Sequence, residues 1–148
     1  MAKAFNPPDL WQPFGPFSQM QIVLSGAVVH LKGQVALDKE GVIVGPRDMR
    51  VQLKQVLENI KIALDAVGGE MRDIVSLTQY CTDIDAFMQA GDIRHDYFAV
   101  PYPVTTTVEV RRLYHPDLLV EIAAIAEVPG LRFKSRHWIR AGGSERNS

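Results

Sequence analysis

Glu121 is the residue of this chain whose setting most invites chemistry. It is the lone charged group in the run Leu118-Leu119-Val120-Glu121-Ile122-Ala123-Ala124-Ile125-Ala126. A carboxylate inside so apolar a strand would be a partly desolvated acid or base. The structural alternative is a carboxylate bonded to backbone amides or to an arginine across an interface. The preceding segment alternates with period two. Val104, Thr106, Val108 and Val110 share one face, and Thr105, Thr107, Glu109 and Arg111 share the other. If helices cover the Val104/Val108 face, then Leu119, Ala123 and Ile125 are left in water on the second face, with Glu121 and with Thr105 and Thr107 nearby. No further element remains in the chain to cover that face, so a second copy of the protein is expected to do so.

Other reactive residue types are placed less suggestively. His30, His95, His115 and His137 are scattered without ligand spacing, so no metal site is expected. Cys81 lacks a thiolate-stabilising motif and reads as a small core residue. Asp83 and Asp85 could form an acid pair, but helix capping explains them better. Nucleophile elbows, Walker loops, dinucleotide-binding glycine runs and H-E-x-x-H are absent from the sequence.

The elements that must position these groups fit in one domain of 148 residues. Hydrophobic residues make up 47% and charged residues 22%, the balance of a globular chain and not of a disordered one. A net charge of −1 gives no overall attraction to nucleic acid or membrane. The single cysteine, the absence of a signal-like apolar run and the absence of a membrane-length segment lead us to expect a cytoplasmic protein. Charge is concentrated at one end: from residue 129 onward Arg132, Lys134, Arg136, Arg140 and Arg146 face only Glu145. We therefore divide the chain into a domain over 1–128 and a basic tail over 129–148. The tail is either a solvated terminus or, with Phe133 and Trp138, a contact for RNA or another anionic partner.

Within the domain, the first seventeen residues read as an extended aromatic and proline-rich arm without regular structure. Met20 to Leu24 and Ala27 to Leu31 read as a hairpin about Ser25-Gly26. Val35 to Leu37 is a short third strand, turning at Asp38-Lys39-Glu40-Gly41. Met49, Leu53, Val56, Leu57, Ile60, Leu64 and Val67 recur at helical spacing and predict a helix over about 48–67. Ile74 to Thr82 predicts a strand, and Asp85 to Phe98 a second helix stopped by Pro101 and Pro103. Val104 to Arg111 and Leu118 to Val128 predict the last strands. This order is α+β, a mixed sheet with two helices on one face.

Five motifs in this order resemble a known family. Gly15-Pro16-Phe17-Ser18-Gln19, Lys32-Gly33-Gln34-Val35-Ala36-Leu37-Asp38, Gln55-Val56-Leu57-Glu58-Asn59-Ile60, Pro103-Val104-Thr105-Thr106-Thr107-Val108-Glu109-Val110 and Val120-Glu121-Ile122-Ala123-Ala124-Ile125-Ala126 are similar to the Rid (YjgF-type) reactive-intermediate deaminases. The resemblance spans about residues 15–128. It implies the chorismate-mutase-like fold, a homotrimer around a central β-barrel, and small-molecule pockets between subunits. It also implies hydrolysis of enamines or imines, such as 2-aminoacrylate, to keto acids and ammonia, with no metal or organic cofactor.

The resemblance makes Glu121 the catalytic residue that positions or activates water. It places Phe17, Lys32, Gly33, Gly91, Thr105 and Thr107 at ligand-binding positions, several of them altered. Thr105 stands where the family's P-A-R-[ST] motif carries the arginine that holds the substrate carboxylate. A threonine hydroxyl cannot make that bidentate, charge-assisted contact. Phe17 replaces a tyrosine, Lys32 precedes the pocket glycine, and Gly91 aligns with an asparagine. Arg94, one helical turn after Gly91, could restore a cation to the ligand or could form an ordinary ion pair; Lys32 poses the same choice. The expected function is hydrolysis of enamine, imine or related C–N compounds, with 2-aminoacrylate a poor substrate. The alternatives are a trimeric small-ligand-binding protein without chemistry and, less well supported, an RNA-cleaving, translation-inhibiting relative. Neither nucleic acid nor membrane is expected as a partner.

Overall fold

The computed structural model describes residues 2–134. Helix α1 (Met49–Asp65) forms where the apolar spacing predicts it. Asp48 is its N-cap, and its Oδ1 accepts the Val51 amide at 3.1 Å, satisfying a donor that a helix start leaves unpaired. Met49, Leu53, Val56, Leu57, Ile60 and Leu64 are the buried face. At the other end Gly68 takes φ +80°, a left-handed conformation glycine reaches without a Cβ clash, and the Gly69 amide donates back to the Leu64 carbonyl at 2.8 Å.

Four strands make the main sheet: β3 (Ala27–Gln34), β4 (Ile74–Cys81), β5 (Val104–Glu109) and β6 (Val120–Val128), in the order β3-β6-β4-β5. β6 is antiparallel to β3 and β4, whereas β4 and β5 are parallel. A parallel pair needs a crossover, supplied here by α2 (Ile84–Gln89) and α3 (Gly91–Tyr97). The sequence predicts one helix over this span. It breaks at Ala90 (φ −90°, ψ 18°), where Phe87 and Ala90 both turn fully into the core. Asp83 caps α2, accepting the Ala86 amide at 3.0 Å. The three helices share one hydrophobic core with the sheet face formed by Leu118, Val120, Ile122, Ala124 and Ala126. No helix among the described residues is long and apolar enough to cross a membrane.

Three local expectations are corrected. Met20 to Leu24 and Ala27 to Leu31 do not form a hairpin: β2 (Met20–Ile22) pairs with β1 (Lys3–Phe5), while β3 pairs with β6. At Gly26 (φ +110°) a Cβ would fall 2.8 Å from the Val128 carbonyl, so the chain is drawn against β6 there and leaves β2 behind. The same pairing gives the N-terminal arm a strand where none was expected. Val35 to Leu37 is not a strand either, because Asn59 Nδ2 of α1 donates to the Val35 and Leu37 carbonyls at 3.1 and 3.0 Å in place of a neighbouring strand. The turn after it does form, with Gly41 N–H donating to the Asp38 carbonyl at 3.0 Å.

Of the basic tail, residues 129–134 are described. Arg132 makes a two-pronged pair with Asp73, at 2.9 and 2.6 Å, and the Lys134 amide donates to the Val67 carbonyl at 3.0 Å. Arg136, Trp138, Arg140, Glu145 and Arg146 lie outside the described residues, as does His137.

Strand register decides which side chains face the helices. In β4–β5, Leu77 pairs with Thr105 and Gln79 with Thr107; in β4–β6, Leu77 pairs with Ala124 and Gln79 with Ile122. Paired residues point to the same side. Thr105 and Thr107 therefore lie on the helix-covered face with Leu77 and Ile122. Val104, Thr106 and Val108 lie on the opposite face with Glu121, Ala123 and Ile125. This reverses the side assigned to β5 from its alternation alone.

Candidate functional site

Glu121 lies on the uncovered face of β6, next to a bulge in β3. The β3–β6 register advances from Leu31↔Ala124 to Gln34↔Ile122, so two residues of β3 oppose one of β6. Gly33 sits in that bulge, and a Cβ on it would meet Glu121 Oε2 at 2.5 Å and Cδ at 2.9 Å. The carboxylate thus lies directly against the Gly33 backbone. Among the described residues no side chain pairs with it, so the structural alternative of an arginine or amide clamp is not realised within one chain.

Around this carboxylate opens a groove of ≈ 700 Å³, lined among others by Lys32, Gly33, Gln55, Asn59, Tyr114 and Glu121. The structure thus brings Lys32, Gly33 and Glu121 to one groove. It adds Gln55, Asn59 and Tyr114, which sequence reasoning did not place in the site. A signal for the first two was present: they are polar residues four apart on one side of a helix. Gln55 Nε2 donates to Asn59 Oδ1 at 2.8 Å. Tyr114, in the loop before β6, carried no such signal. Lys32 makes no ion pair among the described residues.

The remaining candidates gather elsewhere. The N-terminal arm brings Phe17 to the start of β5, because the Ser18 amide donates to the Pro103 carbonyl at 2.9 Å and Gln21 Nε2 to the Tyr102 carbonyl at 2.9 Å. Phe17 stacks edge-on against Phe14 and Trp11, with ring centroids 5.3 and 5.9 Å away. Thr107 Oγ1 accepts from buried Gln79 Nε2 at 2.8 Å. Gly91 and Arg94 lie on α3, over the same face of the sheet as Thr105 and Thr107. The Arg94 guanidinium carbon stands 4.5 Å from the Phe87 ring centre. It forms no ion pair among the described residues, which removes the ordinary surface ion pair as its explanation. Burial pushes its proton affinity down from the usual arginine value.

One protomer therefore holds two groups of candidate residues on opposite faces of its sheet. Glu121 with Gly33 and Lys32 is on the uncovered face. Thr105 and Thr107 are on the covered face, two strands away, about 10 Å along the sheet at the usual strand spacing. The expectation that Thr105 and Thr107 flank Glu121 does not hold within a chain. The uncovered face is itself apolar: Val28 and Val108 are exposed beside half-buried Ala123 and Ile125.

No group of three or more His, Cys, Asp or Glu among the described residues is spaced to hold a metal ion. His115 is used in a turn, where its Nδ1 accepts the Asp117 amide at 3.0 Å. Cys81 is fully buried, and its Sγ–H donates to the Val108 carbonyl at 3.6 Å.

The chain is similar to known proteins over most of its length. The family model described as Endoribonuclease L-PSP matches residues 9–128. A RutC family protein of Pyrococcus horikoshii is 39% identical over 116 residues, covering 78% of this chain and 89% of the relative. One from Saccharolobus solfataricus is 37% identical over 117 residues, covering 78% and 90%. Among solved structures, the Rid family protein YyfB of Yersinia pestis superposes with a TM-score of 0.77 at 32% identity, over 86% of this chain and 98% of that one. RidA of an Antarctic Psychrobacter superposes with a TM-score of 0.64 at 29% identity, over 78% and 91%.

Proposed function

The chain belongs to the Endoribonuclease L-PSP family, which includes the RutC and Rid proteins, and on that premise we propose that it hydrolyses the C–N bond of small enamines or imines in pockets built between copies of itself. Membership supports a small-molecule deaminase-type function in general. The observation that carries the finer reading is the split of the candidate residues between opposite faces of one sheet. A ligand touching both Glu121 and the Thr105/Thr107 side needs the second side from another subunit. The uncovered apolar face around Ala123 and Ile125 supplies the surface on which copies would meet, as a homotrimer.

Chemistry at Glu121 follows from its setting. An enamine first takes a proton at carbon to become an iminium ion. Water then adds to the iminium carbon while the Glu121 carboxylate removes one of its protons, leaving a carbinolamine. That proton passes to the amine nitrogen, the C–N bond breaks as the hydroxyl gives up its own proton to the freed Glu121 carboxylate, and a carbonyl compound and ammonia leave. The missing side chain of Gly33 leaves room for the carboxylate itself, and Lys32 and Tyr114 border the groove that the substrate would enter. No metal or organic cofactor is called on. With Thr105 in place of an arginine the carboxylate of 2-aminoacrylate is left unheld at that position, so this substrate should turn over poorly.

The test supplies imines in situ from an amino-acid oxidase and follows ammonia and carbonyl product. Wild type should accelerate release over the uncatalysed rate. Glu121→Gln should lower the acceleration about 10²-fold or more while the oligomer stays intact. Equal turnover in both proteins would remove Glu121 as the catalytic group. A ligand that stabilises wild type and is recovered unchanged would replace hydrolysis with binding alone. RNA cleavage has less support from the tail, since its first described cation, Arg132, is already taken up by Asp73.

A further inference from the structure

Arg94 is a half-buried guanidinium held by apolar neighbours. Phe87 lies under it at 4.5 Å, Met88 Sδ is 4.0 Å from Nη2, and the Gly91 backbone lies alongside. Its Nε is buried and donates to no acceptor among the described residues, and no carboxylate pairs with the group. A guanidinium presents five donors and no acceptor, so only acceptor atoms can satisfy it, and a buried donor left unmatched is costly. Arg50 and Arg132, by contrast, are matched: Arg50 bonds Asp92 through both terminal nitrogens, and Arg132 does the same with Asp73. Arg94 alone combines burial, stacking and an unmatched donor among the arginines just compared.

From this setting we infer that Arg94 is an anion-binding residue which holds the carboxylate of an organic acid whose remaining body is apolar. The stack on Phe87 fixes the plane of the guanidinium, so fewer rotamers are lost when an acid docks. Phe87 and Met88 offer no competing charge, and the carboxylates of Asp83 and Glu109 on the Cys81 side would repel a second anionic group, which favours a ligand with a single carboxylate over a polyanion. Arg94 lies on the helix-covered side of the sheet, with Thr105 and Thr107. On that side it faces Cys81, four residues along β4 from the Leu77–Thr105 pair, so its anion contact is separate from the position of Thr105. The inference deepens the deaminase reading and rests on it for the reaction, but the anion contact stands apart from turnover.

The experiment is equilibrium binding to the full-length protein, with 3-phenylpropanoate and its neutral amide as probes. Neither probe can be hydrolysed as an imine, so its result is independent of whether the protein is a deaminase. Wild type should bind the acid about tenfold or more tightly than the amide. The Arg94 Nε–H resonance should shift on addition of the acid and stay in place with the amide. Arg94→Gln should erase the preference, and Arg94→Lys should retain part of it. If wild type binds acid and amide equally, or if the Nε–H signal is unmoved by the acid, the inference is wrong. These two wild-type readouts decide the matter even if a variant fails to fold.

Discussion

Gly33 and Glu121 are packed so closely that a single added methyl group would occupy the space of the carboxylate, 2.5 Å from Oε2. The bulge in β3 makes this approach possible by pushing its backbone toward β6. Gly33→Ala should therefore act on Glu121 by displacement. We expect catalytic rate to fall about tenfold or more, while overpacking at this half-exposed site costs about 1–3 kcal/mol or less. Steady-state kinetics beside a thermal melt measures both. Unchanged kinetics in a folded Gly33→Ala protein would mean that the carboxylate has no fixed position to lose.

A charge on the uncovered sheet face should separate the copies. Ile125 is half-buried within one chain, between His30 of β3 and Ser76 of β4. In an assembly it would lose its remaining contact with water, and a lysine there would be left uncompensated. Ile125→Lys should reduce the mass seen by sedimentation from a multiple of 16.5 kDa to that of one chain. Turnover should disappear with the assembly. Wild type sedimenting as a single chain would defeat the intersubunit pocket altogether.

The helix over Met49–Asp65, strand β4 and the burial alternation of β6 were all readable from apolar spacing. The facing of β5 was not. Alternation says that Thr105 and Thr107 oppose Val104 and Val108, but it does not say which pair the helices cover. Valines suggested the core. The register instead turns the threonines inward, where Thr107 satisfies buried Gln79, and leaves the valines on a face that is apolar in its own right. The hairpin was misread for a related reason: an apolar run shows that a strand is half-buried and carries no label for its neighbour. Glu121 was legible as a lone charge in an apolar strand, and Gly33 and Lys32 only through the family resemblance, because the pairing of β3 with β6 that sets them beside it carries no signal in either strand alone. Tyr114 was not, because a loop residue gives no period from which to infer its direction.

Cys81 should behave as a silent thiol. Burial pushes its proton affinity up, with the nearby carboxylates of Glu109 and Asp83 adding to it. Such a group favours the neutral thiol in the fold, so its contribution to stability is present below the ordinary cysteine range and is lost as pH rises above it. With one cysteine in the sequence, a chromogenic disulfide reagent gives a clear readout. We expect negligible reaction with the native protein at neutral pH and one equivalent per chain on unfolding. Prompt native labelling would show that the strand β4 end opens.

Arg132 ties the first residues of the tail to the domain. Asp73 is buried, accepts the Glu70 amide at 2.7 Å and receives two bonds from the guanidinium. Arg132→Met leaves that carboxylate buried without its cation, which should cost about 1–3 kcal/mol, less than a fully enclosed pair because the arginine remains partly solvated. Denaturant midpoints read the loss. Asp73→Asn in the same chain should recover part of it, since the amide carries no charge to strand. A loss below about 0.5 kcal/mol would place Arg132 among ordinary surface charges.

Tyr97 gives the fold a dependence on alkaline pH. Its phenol is pushed up to about 12, first by burial and second by donation to the Glu58 carboxylate. An unfolded chain releases this proton near pH 10, roughly the value of a free tyrosine. The folded form holds it longer, so the group's contribution to stability is complete below about pH 10 and drains away as pH climbs toward 12. Phenolate absorbance should therefore include a late step that Tyr97→Phe removes, and the variant's stability should decline less steeply over the same range. Glu58→Gln should lower that step by removing the charge facing the phenol, while leaving the burial contribution in place. A late step that survives Tyr97→Phe would assign it to another side chain and uncouple α3 from α1 in this account.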